Sequence, residues 1–170
     1  MKKVFIIKPL EGMTWDNSFI ALGTSKGDVV EIIGQPESKT EISFYYFGNE
    51  LRFDFDENDN IKFIEFLGGI DGQIQPQIYG DSAFTADADE IVALLKKHNR
   101  GAAIDNENGY SYAFSDISVG LYRESIPENV QEMIEEAASS GETMSEEDIQ
   151  YETRRAAHWA TIGFGVRGYY

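Results

Sequence analysis

The sequence predicts an α+β fold: an antiparallel sheet built from two helix-plus-β-meander units, helices on one face, and an acidic helical insert in the second unit. Three observations carry this expectation. Short runs alternate apolar and polar residues, as half-buried strands do; Leu51, Phe53 and Phe55 set against Arg52, Asp54 and Asp56 is the clearest. Two helical stripes, Val29–Ile33 and Ile91–Leu95, each precede a set of such runs. Residues 124–152 then break the pattern, with ten acids and no Lys or Arg.

The elements follow in order. Val4 to Ile7, stopped by Pro9, reads as a first strand. Residues 10–23, with Gly12, Asp16 and Gly23, read as a loop anchored by Trp15, Phe19 and Ile20. Ser25 and Asp28 have capping-box spacing for a helix whose apolar face is Val29, Val30, Ile32 and Ile33. Gly34 and Pro36 end it. Residues 41–47, 51–56 and 61–67 read as a three-stranded meander, turned at Gly48-Asn49 and at Glu57-Asn58-Asp59-Asn60. Residues 68–84 are rich in Gly and Gln and read as a connection. Asp87 and Glu90 cap a second helix that closes on Lys96, Lys97 and His98, cations suited to a helix C-terminus. Strands are expected at 102–104, 110–114 and 117–121. In the insert, Ser125 and Glu128 start one helix, with a stripe of Val130, Met133, Ile134 and Ala137. Ser145 and Asp148 start another that runs to about His158. Residues 161–168 form a last strand, and Tyr169-Tyr170 packs down.

The two halves match each other. Val29-Val30-Glu31-Ile32-Ile33 aligns with Ile91-Val92-Ala93-Leu94-Leu95 at an offset of 62. Tyr46, Leu51, Phe53 and Phe55 align with Tyr112, Ile117, Val119 and Leu121 at an offset of 66. The expectation is one domain, 1–170, of two pseudo-repeat units, 1–67 and 84–170, with the insert at 124–158.

Charge excludes several function classes. The 170 residues carry 14 Lys+Arg against 30 Asp+Glu, a net −16. Nucleic-acid binders neutralise phosphates with cations, and this chain repels them. An anionic membrane surface is disfavoured for the same reason. A basic protein or a cation is compatible with this charge, and acidity that serves only solubility is the alternative. The chain has no cysteine, so disulfides, zinc–thiolate sites and cysteine nucleophiles are excluded. The N-terminal apolar run is too short for a secretory signal, and no run approaches membrane-spanning length. A cytoplasmic location is expected.

Few motifs carry chemistry. Asp54, Asp56, Asn58 and Glu65 match a calcium loop at its first, third, fifth and twelfth places. Asp59 stands where that loop needs glycine, and the flanks alternate like strands. His98 and His158 have no sequence-local carboxylate partner of catalytic type. Gly163-x-Gly165-x-x-Gly168 has dinucleotide-fingerprint spacing but opens no helix; glycines so placed suit close packing on a strand. Phe44-Tyr45-Tyr46-Phe47 suits either the two faces of a central strand or a stacking platform.

Leu22-Gly23-Thr24-Ser25-Lys26-Gly27-Asp28-Val29-Val30-Glu31-Ile32-Ile33-Gly34-Gln35-Pro36 resembles the opening of helix-plus-hairpin modules of the BamE/SmpA outer-membrane lipoprotein type. Tandem copies resemble the β-lactamase inhibitory protein architecture. The whole chain is similar to cytoplasmic bacterial proteins of the toxin-immunity type, which pair this opening with an acidic insert and an ending like Gly163-Phe164-Gly165-Val166-Arg167-Gly168-Tyr169-Tyr170. The resemblance implies tandem modules and an inhibitory role. It does not extend to a lipid anchor or to disulfides, which need cysteine.

The leading expectation is therefore a non-enzymatic protein-binding inhibitor or immunity protein that neutralises a basic partner such as a nuclease toxin. Glu132, Glu135, Glu136, Glu146, Glu147 and Asp148 would steer that partner, and no catalytic group, cofactor or metal is invoked. The alternatives are a small-molecule binder or enzyme with an aromatic pocket, and a calcium-binding domain.

Overall fold

Alternation governs the middle of the chain in the computed structural model, which describes residues 1–170. β4 (Ser38–Lys39), β5 (Ser43–Tyr46), β6 (Leu51–Phe55) and β7 (Ile61–Phe66) pair antiparallel in turn. Leu51, Phe53 and Phe55 face Phe66, Ile64 and Ile61 across β6–β7, and all six are buried. Arg52, Asp54 and Glu65 take the opposite face, as a two-residue period requires. At the β5–β6 turn Phe47, Gly48 and Asn49 all have positive φ (56°, 66° and 66°). Successive left-handed residues turn their N–H groups to one side, a concavity that suits an anion. Glu37 fills it, accepting from the backbone of Phe47 at 3.0 Å and of Gly48 at 2.7 Å.

Later residues extend the same sheet. β10 (Ala103–Asp105), β11 (Ser111–Phe114) and β12 (Val119–Tyr122) pair antiparallel. β13 (Thr161–Gly165) joins β12 to β7, giving the order β10-β11-β12-β13-β7-β6-β5-β4.

The fold class is α+β, as predicted, but one sheet becomes two. β1 (Lys3–Lys8), β2 (Gly12–Trp15), β3 (Ser18–Ala21), β8 (Ile74–Ile78) and β9 (Asp81–Ser82) form a second sheet ordered β3-β2-β1-β8-β9. Residues 10–23 are thus a hairpin rather than a loop, and residues 68–84 carry two strands rather than a bare connection. β1 and β8 run parallel, against the all-antiparallel expectation. Gln75, Pro76 and Gln77 hide β8 from a hydrophobic pattern, and Pro76 mimics a strand breaker. Its partner β9 is only two residues long, so little ladder is lost.

The second sheet answers a coverage problem. α1 (Lys26–Ile33) is eight residues long and fully buries only Val29. α2 (Ala88–His98) buries Ala88, Ile91, Val92 and Leu95. Two short helices leave much of an eight-stranded aromatic face exposed to water, which burial strongly disfavours. Phe5, Ile7, Met13 and Ile20 of the second sheet share one core with both helices and with the inner face of the larger sheet. Helices alone therefore do not cover that face. Ser25 caps α1 and Asp87 caps α2 as their spacing predicts. The Tyr46 hydroxyl donates to the Gly34 carbonyl at 3.0 Å, tying β5 to the end of α1, and burial pushes that phenol up to about 12.

Candidate functional site

Between β12 and β13 the chain leaves the sheet as two helices, α3 (Pro127–Ser139) and α4 (Glu146–Ala156). The N-cap of α3 is Ile126 rather than Ser125, one residue later than the spacing predicts. The Asn129 carbonyl oxygen accepts from the Ile126 backbone at 3.1 Å and also from the Tyr110 hydroxyl. Pro127 takes the first turn, where no N–H is needed. Ser145 caps α4, accepting from the Asp148 backbone at 3.0 Å.

The base of this hairpin is pinned to the core. Arg123 is buried; its guanidinium donates to the carbonyls of Ala156 (2.7 Å) and Gly109 (3.0 Å) and lies 4.8 Å from the Trp159 ring centre. Trp159 Nε1 donates to Ala88 at 3.0 Å, and the Ala88 N–H donates to Ala157 at 2.8 Å. Beyond the base the two helices pack chiefly on each other. Each buries one residue fully, Val130 in α3 and Ala156 in α4.

The six predicted contact residues are all exposed and form no ion pair. Other insert acids do: Arg155 pairs with Glu124 and, at 3.5 Å, with Glu152. Arg154 reaches Asp71 at 2.9 Å. Glu132, Glu135 and Glu136 come together with Ser139 and Ser140 around an open hollow on α3. Glu146, Glu147 and Asp148 occupy the first turn of α4, where the helix dipole favours negative charge. Asp148 is committed to the cap, since its carboxylate accepts from the Ser145 hydroxyl at 2.7 Å. Between the helices lies a mainly apolar groove of about 260 Å³, lined by Pro127, Val130, Ile134, Ile149, Thr153 and Ala156. On its α3 side, Val130 and Ile134 belong to the predicted stripe, whereas Met133 of that stripe is exposed outside the groove. The α4 side rests on Ile149 and Ala156 amid charges, too sparse a pattern to read.

Three other places bear on the alternatives. The calcium-like segment is the β6–β7 hairpin. Asp56 accepts from the backbone of Asn58 (2.9 Å) and Asn60 (3.0 Å), and Glu65 pairs with Arg52 at 2.9 Å. No three carboxylate or imidazole groups of the chain converge as metal ligands. A cleft of about 220 Å³ lies between residues 67–71 and α4, with Tyr151, Arg155, His158 and Trp159 on its wall. His158 Nδ1 sits 2.8 Å from the Ala86 carbonyl, which holds the proton on that nitrogen. His98, the other histidine, stacks on Tyr79 with ring centres 3.6 Å apart.

The outer face of the larger sheet is the third place. Gly120 and Gly163 are paired across β12–β13, and Gly165 follows. A Cβ at Gly120 would run into the Tyr170 ring, and one at Gly165 would meet Tyr169. The glycines thus form a furrow for the two tyrosines, and Tyr169 stacks on Phe63 at 4.3 Å. The close packing expected of the glycine run holds at Gly163 and Gly165; Gly168 lies past the end of β13 with positive φ and nothing packed against it. Burial raises Glu65 above the usual carboxylate range against the opposing pull of Arg52, and it also raises Tyr170. No helix is long and apolar enough to cross a membrane. No family model, curated protein or solved structure matches the chain.

Proposed function

We propose that the chain is a non-enzymatic protein-binding inhibitor, of the immunity type, that captures a basic partner through the α3–α4 hairpin. One observation carries the reading: exposed, unpaired acids are concentrated on a projecting hairpin whose base alone is anchored. A one-signed exposed surface attracts a partner of the opposite sign. Steering by such a surface raises encounter rates without any catalytic group. The partner is a basic protein such as a nuclease toxin, met in the cytoplasm. Nucleic acid and membrane are not partners in this reading.

The architecture is read in the same proposal as two helix-plus-meander units. The strand order supports it: β4 to β7 and β10 to β13 each run in sequence from an edge to the centre, and β7 meets β13 antiparallel. The hairpin then interrupts the second unit between its last two strands. Glu132, Glu135, Glu136, Glu146 and Glu147 are the contact residues, and Asp148 contributes charge from its capping position.

Affinity capture from a lysate tests the reading. The wild-type chain is expected to retain a basic protein at about 50 mM salt and release it near 500 mM, where screening is within a few ångströms. Co-expression with that protein, if it is toxic, should restore growth. A variant with the five contact glutamates changed to glutamine should lose both effects. Equal capture by the variant would overturn the proposal.

A further inference from the structure

We infer that the groove between α3 and α4 takes an amphipathic basic helix of the partner, which completes a three-helix bundle on the hairpin. This rests on the reading above and narrows the partner from a basic surface to a basic helix. Two packed helices leave much of each apolar stripe uncovered. Here Ile134 and Ile149 are only half-buried, Met133 is exposed, and each helix fully buries a single residue. The groove between them is predominantly apolar along its lining. It is bordered by one sign of charge. Helical spacing places Glu128 and Glu135 on the same edge of α3 as Gln131, whose amide donates to Glu135 at 2.7 Å. The same spacing places Glu146 beside Ile149 on α4. The nearest arginines are turned away from this role, Arg155 to Glu124 and Arg154 to Asp71.

The complement of that surface is definite. A helix with apolar residues at i, i+3, i+4 and i+7 fills an elongated apolar groove. Lys or Arg on its flanks meets Glu128, Glu135 and Glu146. The groove is lined on α3 by residues 127–134, about 12 Å of helix, so about two turns of the partner lie within it. An acidic helix meets like charge on both edges, and an extended basic strand leaves the groove unfilled.

Fluorescence anisotropy on the full chain tests this with three labelled peptides of about 18 residues. One is a Lys/Leu amphipathic helix, the second has the same composition with its leucines dispersed around the helix, and the third is the Glu/Leu counterpart. The first should bind at least about tenfold more tightly than either of the others. Ile149→Glu should weaken it by a similar factor, with Ile134→Ser as a milder second variant, each checked for a retained thermal transition. If the dispersed peptide binds as well as the amphipathic one, charge alone is being read and the inference fails, while the proposed capture of a basic partner stands. If the groove variants bind the helix unchanged, the inference likewise fails. If neither basic peptide binds, the inference fails, and the lysate experiment decides the broader reading separately.

Discussion

At Glu65, burial and pairing pull in opposite directions. Burial raises the carboxyl and Arg52 lowers it, and burial dominates. The folded state therefore holds the proton more tightly than the unfolded chain. Its contribution to stability is fully present below the unfolded value and is lost as pH rises through the raised folded value. Glu65→Gln should flatten that part of the stability–pH curve, measured by chemical unfolding between about pH 4 and pH 7. An unchanged slope would show that Arg52 compensates the carboxylate fully. Gly120 gives a second residue-scale test. Gly120→Ala should cost about 1–3 kcal/mol because the new methyl overlaps the Tyr170 ring. In a Tyr170→Ala background the same change should cost much less, since the obstacle is gone.

Among the elements, the hairpin depends on its caps and its anchor. Ser145→Ala removes the acceptor of the Asp148 N–H and should lower stability by about 1 kcal/mol, with a loss of helical signal. Arg123→Met should cost more, about 2–4 kcal/mol, because it leaves two carbonyls without their charged donor. Thermal unfolding with circular dichroism reads both. Elements with strong local signals were legible in the sequence. Ser25, Asp87 and Ser145 all cap helices, and the alternation at 51–55 marks β6. Others depended on partners far away in the chain. β8 has two glutamines and a proline, and it is a strand because β1 lies alongside it. β2 and β3 are short and turn at Asp16, whose positive φ of 53° has no glycine to announce it. α3 starts one residue later than Ser125 predicts, and the side chain of Asn129 reaches back to the N–H of its N-cap, Ile126. The acidic residues of the site were visible as a run of letters. The groove between them was not, because it requires two helices to meet.

Over the whole molecule, the net charge of −16 is a matter of placement. Ten acids fall in residues 124–152, and two of them, Glu124 and Glu152, share the single positive charge of Arg155. The exposed acids on α3 and α4 remain unpaired, away from the core that both sheets share. Changing five glutamates there to glutamine should leave the unfolding midpoint nearly unchanged, because exposed charges contribute little to folding. Function should respond instead. The most direct measurement is the association rate with the captured basic protein as a function of ionic strength, for the wild-type chain and the five-glutamine variant. The account predicts a wild-type rate that falls steeply with salt and a variant rate that is slow and nearly flat. Equal rates with equal salt dependence would contradict it and leave the acidity of the hairpin without a role in recognition.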